Sequence, residues 1–193
     1  KEAKELVLKK ATWILSKLNE NKVRIEIKPK VETNILPEKL VYFGIEYEIK
    51  LVKDLYTSNV RVFFENNYIN IYLNPKFIDD YDRINCYIDC FYKTQAEAKI
   101  VPLVEKWSKI MKLYPKQISF RKTQNRWGSC SSDNKISLSS KLARLNLPEI
   151  DYVIIHELAH IKEKNHSKSF WIIVEKFLPE YKPIHKKLSS AMT

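Results

Sequence analysis

The chain has 193 residues, 45% hydrophobic and 30% charged, with a formal net charge of +11. That length supports one substantial core, and no apolar run reaches the length of a membrane-spanning helix. Two glycines leave no phosphate-cradling loop, and three cysteines make an odd count with no disulfide framework, which favours a reducing cytoplasm over secretion.

No signal-peptide pattern opens the sequence, and its first residue is Lys1 rather than Met, so further residues are expected upstream. Leu6, Val7, Ala11, Ile14, Leu15 and Leu18 space out an amphipathic helix over residues 1–20. Residues 22–75 alternate polar and apolar in the β manner through VRIEIK, VYFGIEYEIKLV, NVRVFF and YINIYL, with turn signals at 56–59 and at Asn66-Asn67. From about residue 79 to 113 the period becomes helical, with a core stripe of Tyr92, Ala96, Ile100, Leu103, Trp107 and Met111, and Pro115 marks its end. Cys86 and Cys90, one helical turn apart without a nearby His or Cys, read as ordinary helix residues. Three short strands follow, at 118–120, 126–131 and 136–142, the last two joined through Asp133-Asn134. The expected organisation is a helix and β-rich segment over residues 1–78 and a second domain over 79–193, or one continuous unit.

The decisive stretch is His156-Glu157-Leu158-Ala159-His160, an H-E-x-x-H pattern inside an apolar helical segment. Asn146 is placed as its N-cap, with Pro148 in the first turn and Glu149 closing a capping box. Leu147, Ile150, Val153, Ile154, Leu158 and Ile161 are spaced to bury most of the helix. Positions i and i+4 share a helix face, so His156 and His160 can aim at one Zn2+, while Glu157 stands beside it as a general base. A His-Glu-His set in a buried helix must be paired or metal-bound, because unsatisfied buried polar groups are costly.

His166 follows six residues later, about 240° around a continuous helix, so it can join the metal only if the chain leaves the helix first. Lys164-Asn165 is the predicted exit, through a left-handed Asn, and Ser167 the N-cap of the next helix, which carries Phe170, Trp171, Val174 and Phe177. Glu175 or Glu180 is the alternative third ligand. Metzincins keep this ligand spacing with a glycine where this chain has Glu163, so the turn must be built differently.

Gly128 lies in Arg126-Trp127-Gly128-Ser129-Cys130. A strand glycine marks a bulge or a close backbone approach. Two readings stand: these five residues line a substrate cleft by strand augmentation, or Gly128 only lets Trp127 pack in the core. Cys130 is read as a buried strand thiol, not a nucleophile. His185, isolated in the C-terminal segment, is read as a surface residue.

The runs RWGSCSSDNKISLSSKL (126–142) and IDYVIIHELAHIKEKNHSKSFW (150–171), followed by LPEY (178–181), resemble the YgjP-like metallopeptidase family, a group of minimal zincins related to SprT-like proteases. The likeness is strongest over residues 118–181 and extends more weakly over 40–115. It implies an α+β fold in which a short antiparallel sheet packs beside an active-site helix, after a β-rich segment and a long helix. It also implies one zinc per chain held by His156, His160 and His166, with Glu157 as base. Relatives usually have an extra β-rich stretch before the first helix. Many also carry Asn where this chain has Ser139.

The resulting expectation is a peptidase in which Glu157 assists attack by a zinc-bound water on a peptide carbonyl. Tyr152, Tyr181 and Arg126 are the candidates for steadying the developing oxyanion. Two alternatives are a metal-dependent hydrolase of nucleoside triphosphates, which has been attributed within the family, and a DNA-associated protease of the SprT kind. A third, a binding module with a vestigial site, conflicts with the intact Glu157. The partner is expected to be a polypeptide rather than a membrane. The positive charge admits nucleic acid, although a solvated lysine-rich surface is its default explanation.

Overall fold

In a computed structural model, residues 36–191 are described, so the expected helix over 1–20 and the VRIEIK strand lie outside the described residues. The first sheet comprises β1 (Lys39–Tyr42), β2 (Ile45–Lys53), β3 (Arg61–Glu65) and β4 (Tyr68–Leu73), in the order β1-β2-β4-β3. Two tight hairpins set its register. Phe43 and Gly44 (φ 47 and 80) turn β1 into β2, and Asn66 and Asn67 (φ 50 and 66) turn β3 into β4. Paired positive φ values match the right-handed twist of the strands they join. The first of these turns divides VYFGIEYEIKLV, which the alternating pattern presents as one run.

A long helix, α1 (Tyr81–Met111), packs against β3 of this sheet and β5 of the next. Its buried line is Ile84, Ile88, Phe91, Tyr92, Ala96, Ile100, Val104, Ser108 and Met111, with Leu103 and Trp107 at the flank rather than the centre. The helix ends before Pro115, at Lys112, whose left-handed conformation (φ 58) caps it. Tyr92 Oη donates to Val41 O at 2.8 Å and Tyr42 Oη donates to Gln95 Oε1 at 2.6 Å, tying α1 to β1.

The second sheet has three strands, β5 (Gln117–Arg121), β6 (Gly128–Cys130) and β7 (Lys135–Ser139), in the order β5-β7-β6. β7 runs parallel to β5 and antiparallel to β6, so the sheet is mixed rather than antiparallel throughout as expected, and among the described residues one edge of β6 is unpaired. A 3-10 segment, Ser140–Arg144, then leads into α2 (Leu147–Lys162), α3 (Lys168–Phe177) and α4 (Tyr181–Ser190). Ser139 is fully buried at the start of that segment, where its Oγ accepts from Lys141 N at 3.3 Å. The fold is α+β. One core runs from Leu40 on β1 to Leu188 on α4, through Ile71, Ile100, Leu138, Ile154 and Phe170. Among the described residues no helix is long and apolar enough to cross a membrane.

Candidate active site

The site is built on α2, and its N-terminus is held twice. Asn146 Oδ1 accepts from Glu149 N at 3.0 Å while Glu149 Oε2 accepts from Asn146 N at 3.1 Å, closing the capping box. Leu147, the first helical residue, is exposed rather than buried. The Phe43-Gly44 turn leans on this end, with Phe43 N donating to Ala143 O at 2.8 Å. A Cβ on Gly44 would fall 2.7 Å from Asn146 Cβ and 2.9 Å from its Cα, so only glycine lets the turn come this close.

Beyond the cap the helix buries Ile150, Tyr152, Val153, Ile154, Ile155, Leu158 and Ala159, and His156 and His160 fall one turn apart on its open side. The chain leaves α2 at Glu163, one residue before the predicted exit. Glu163 is extended (φ −122, ψ 105), and Asn165 is not in the left-handed region. An ordinary extended residue thus makes the turn that a glycine makes in metzincins, and Glu163 O accepts from His160 Nδ1 at 2.9 Å. Ser167 then starts α3.

This path brings His166 back to the helix. One ring nitrogen from each of His156, His160 and His166 lies within 4.8 Å of the other two, and His166 Nε2 sits 2.9 Å from His156 Nε2. With Nδ1 of His160 committed to Glu163, its Nε2 is the nitrogen free to face this cluster. The fully buried Phe170 packs under all three imidazoles, with ring centroids 4.5–4.9 Å away. Trp171 stacks on His166 at 5.8 Å. Glu175 instead pairs with Lys182 at 3.8 Å, and neither it nor Glu180 belongs to the cluster.

Glu157 is 5% exposed, and its Oε2 is buried with no hydrogen-bond partner. Burial pushes its carboxyl up to about 8, opposed by the nearby Arg126 guanidinium. Burial also lowers His156, to about 3, and lowers His160 and His166, so all three rings are neutral with lone pairs available. Three neutral imidazoles converging beside a buried carboxyl group with an unsatisfied oxygen suit a divalent metal ion with a water next to it.

Of the five strand residues proposed from sequence, Arg126, Trp127 and Gly128 line the cavity that holds this carboxyl group, while Ser129 and Cys130 line a groove that Arg126 also borders. A Cβ on Gly128 would lie 2.7 Å from Glu157 Cγ and 2.8 Å from its Cδ and Oε1, so β6 meets the carboxylate where any larger residue would displace it. Arg126 is exposed and lines a cavity of about 330 Å3 together with Trp127, Gly128, Tyr152, His156, Glu157 and His185. Trp127 is half-buried, and its Nε1 donates to Leu188 O at 3.1 Å, so packing and proximity to the cavity coexist there. Ser129 and Cys130 are half-buried on β6, and burial pushes the Cys130 thiol up, which disfavours the thiolate.

Two residues read otherwise from sequence are repositioned. His185 is not an isolated surface histidine. It is half-buried at the cavity, with Nδ1 2.7 Å from Tyr152 Oη and its ring 5.1 Å from that of Trp171. The signal lay in spacing: His185 is four residues after Tyr181 and three before Leu188, both buried on α4. Tyr152, one of the oxyanion candidates, has its hydroxyl between His185 and His156, 3.3 Å from Nδ1 of the latter. Tyr181 is buried and stacked on Trp171 at 5.2 Å. Of the three candidates, Arg126 is the one with an exposed side chain at the cavity.

The YgjP-like, metallopeptidase domain family model matches residues 1–191. The crystal structure of the metallopeptidase zymogen of Pyrococcus abyssi abylysin is similar at 28% identity and a TM-score of 0.44, covering 48% of this chain and 94% of that one. That of Methanocaldococcus jannaschii jannalysin, also a metallopeptidase zymogen, is similar at 20% identity and a TM-score of 0.44, covering 49% and 98%. No curated protein matches. With the family model matching from residue 1 to residue 191, this chain belongs to the YgjP-like metallopeptidases.

Proposed function

We propose that the chain is a zinc-dependent peptidase in which His156, His160 and His166 hold the ion and Glu157 is the general base. The observation that carries this is the convergence of three neutral imidazole nitrogens beside a buried carboxylate oxygen with no partner of its own. Bound there, zinc would acidify a water and polarise the scissile carbonyl. Glu157 Oε2 is free to take a proton from that water and deliver it to the departing amine, and its raised proton affinity suits a group that must first accept and then donate. Gly128 sets the position of this carboxylate, and the Arg126 guanidinium favours its charged form.

We assign catalysis to residues 79–193 and peptide recognition to β6, whose outer edge, unpaired among the described residues, can pair with an extended substrate backbone. Recognition through backbone hydrogen bonds favours unfolded or flexible polypeptides over compact ones. Arg121, Arg126 and Lys135 line a groove on the face of this sheet, which suits acidic segments. Three free cysteines fit a reducing, cytoplasmic setting. Among the described residues the histidine cluster is the one group of metal-ligating side chains, so nothing resembling an acidic Mg2+ site speaks for triphosphate hydrolysis.

The test is an assay of the purified protein, with and without chelator, on an unfolded protein, a compact folded protein, a nucleoside triphosphate and the unfolded protein bound to DNA. Chelator-sensitive cleavage of the unfolded chain is expected, with the compact protein spared. Phosphate release without cleavage of any polypeptide would overturn the reading in favour of triphosphate hydrolysis. Cleavage confined to the DNA-bound substrate would move it to a DNA-associated protease.

A further inference from the structure

We infer that His185 is a positioning residue for the metal centre, acting through Tyr152 to fix the tautomer and orientation of His156. The inference rests on the reading above of His156 as a ligand through Nε2. That nitrogen faces His166 Nε2 at 2.9 Å, which leaves Nδ1 pointing away from the cluster, 3.3 Å from Tyr152 Oη. A neutral imidazole that offers a lone pair at Nε2 carries its hydrogen on Nδ1. Nδ1 therefore donates, and Tyr152 Oη accepts.

The phenol must then place its own hydrogen elsewhere. His185 Nδ1 lies 2.7 Å from the same oxygen and accepts it, leaving the His185 proton on Nε2. Each of the two hydrogen bonds then has one donor and one acceptor. Run in the opposite direction, the chain would put a hydrogen on His156 Nε2, aimed at His166. Tyr152 is 4% exposed, so solvent has little access to substitute for either partner.

The two helix-borne ligands are thus oriented differently. His160 uses a carbonyl three residues along its own chain, whereas His156 depends on a side chain from α4. α4 is also tied to the strand region through Trp127 Nε1, which donates to Leu188 O. Docking of the last described helix is thereby coupled to ligand geometry at the metal.

The test measures zinc dissociation constants by competition with a chromogenic chelator for wild type, Tyr152→Phe, His185→Phe, His185→Asn and the double variant Tyr152→Phe/His185→Phe. Losing an outer partner of a ligating histidine typically weakens metal binding on the order of 10- to 100-fold, and that loss is expected for Tyr152→Phe and His185→Phe. His185→Asn, whose Oδ1 can stand where Nδ1 stood, should restore most of the affinity. The double variant should bind no more weakly than Tyr152→Phe alone. Wild-type affinity in His185→Phe, or losses that add in the double variant, would overturn the inference. Metal-free melting temperatures establish that the variants fold; should His185→Phe not fold, His185→Ala makes the same comparison. Wild-type protein that binds zinc but cleaves no polypeptide would sink the peptidase reading and leave this one standing. Cleavage with affinities unmoved by either substitution would do the reverse. Absence of zinc binding by wild type would overturn both.

Discussion

The two sheets of this protein invite comparison because the smaller one meets the catalytic candidates and the larger one does not. The four-stranded sheet is built for support: Ile69, Ile71 and Leu73 of β4 are at most 1% exposed, while Ile45, Leu51 and Phe63 on neighbouring strands are 57%, 45% and 44% exposed. Burial there is an area effect, with many interchangeable apolar contacts. The three-stranded sheet does its most specific work by leaving something out, since the missing Cβ of Gly128 makes room for Glu157. A scaffold tolerates redistribution of volume, whereas a site tolerates almost none.

The sharpest break in this comparison lies at Glu157 itself. Glu157→Gln keeps the shape but removes the base, so zinc should remain at one equivalent while turnover falls about 100- to 10,000-fold. Metal analysis and single-turnover rates on the same preparation check this, and a zinc-loaded variant with native turnover would show that another group moves the proton. No substitution confined to the four-stranded sheet should give that combination. Ile71→Ala should cost about 2–5 kcal/mol of stability and leave the rate per folded molecule near native.

The two glycines sharpen the contrast further. Gly128→Ala pushes directly on Glu157, and displacing a catalytic group by about 1 Å can cost on the order of 100-fold in rate. Gly44→Ala meets the backbone of Asn146 and must hold φ near +80, so it should cost about 1–3 kcal/mol of stability. The expected pattern is a slow but stable Gly128 variant and an active but labile Gly44 variant. Urea denaturation beside steady-state kinetics would separate them, and the opposite assignment would refute this division of labour.

Much of this was legible because the relevant signals are local. The capping box at Asn146, the spacing of His156 and His160, the Asn66-Asn67 turn and the long helix each follow from a few neighbouring residues. What was missed depends on distant contacts. Nothing in Phe43-Gly44 alone says that the turn leans on Asn146, and nothing near His185 in sequence says that its Nδ1 meets the hydroxyl of Tyr152, 33 residues away. The exit from α2 falls one residue before the expected one for a related reason. Asn165 has the better turn propensity, but Glu163 is where the chain must bend to present its carbonyl to His160.

The smallest expected effect concerns the metal-free protein. Glu157 is raised from 4.5 to about 8, so the folded state holds that proton more tightly than the unfolded state. For a raised acid, folding is penalised progressively as pH climbs from the unfolded value to the folded one. His156, lowered from 6.5 to about 3, is a base whose folded form resists protonation, so its destabilising influence grows as pH falls below 6.5. His160 and His166 act in the same sense as His156, while Cys90, Cys130 and the raised tyrosines begin to count only above 9. Among the shifts resolved in the described residues, that of Glu157 is the one that acts between pH 6.5 and 8, and stability of the chelator-stripped protein should fall with rising pH by at most about 1.4 kcal/mol per unit. Urea midpoints across that window would show the slope, which should vanish in Glu157→Gln and shrink when a bound cation favours the carboxylate. A metal-free protein with no slope there would mean that the carboxylate reaches solvent or a partner when ionised, and that Gly128 holds it less tightly than the packing implies.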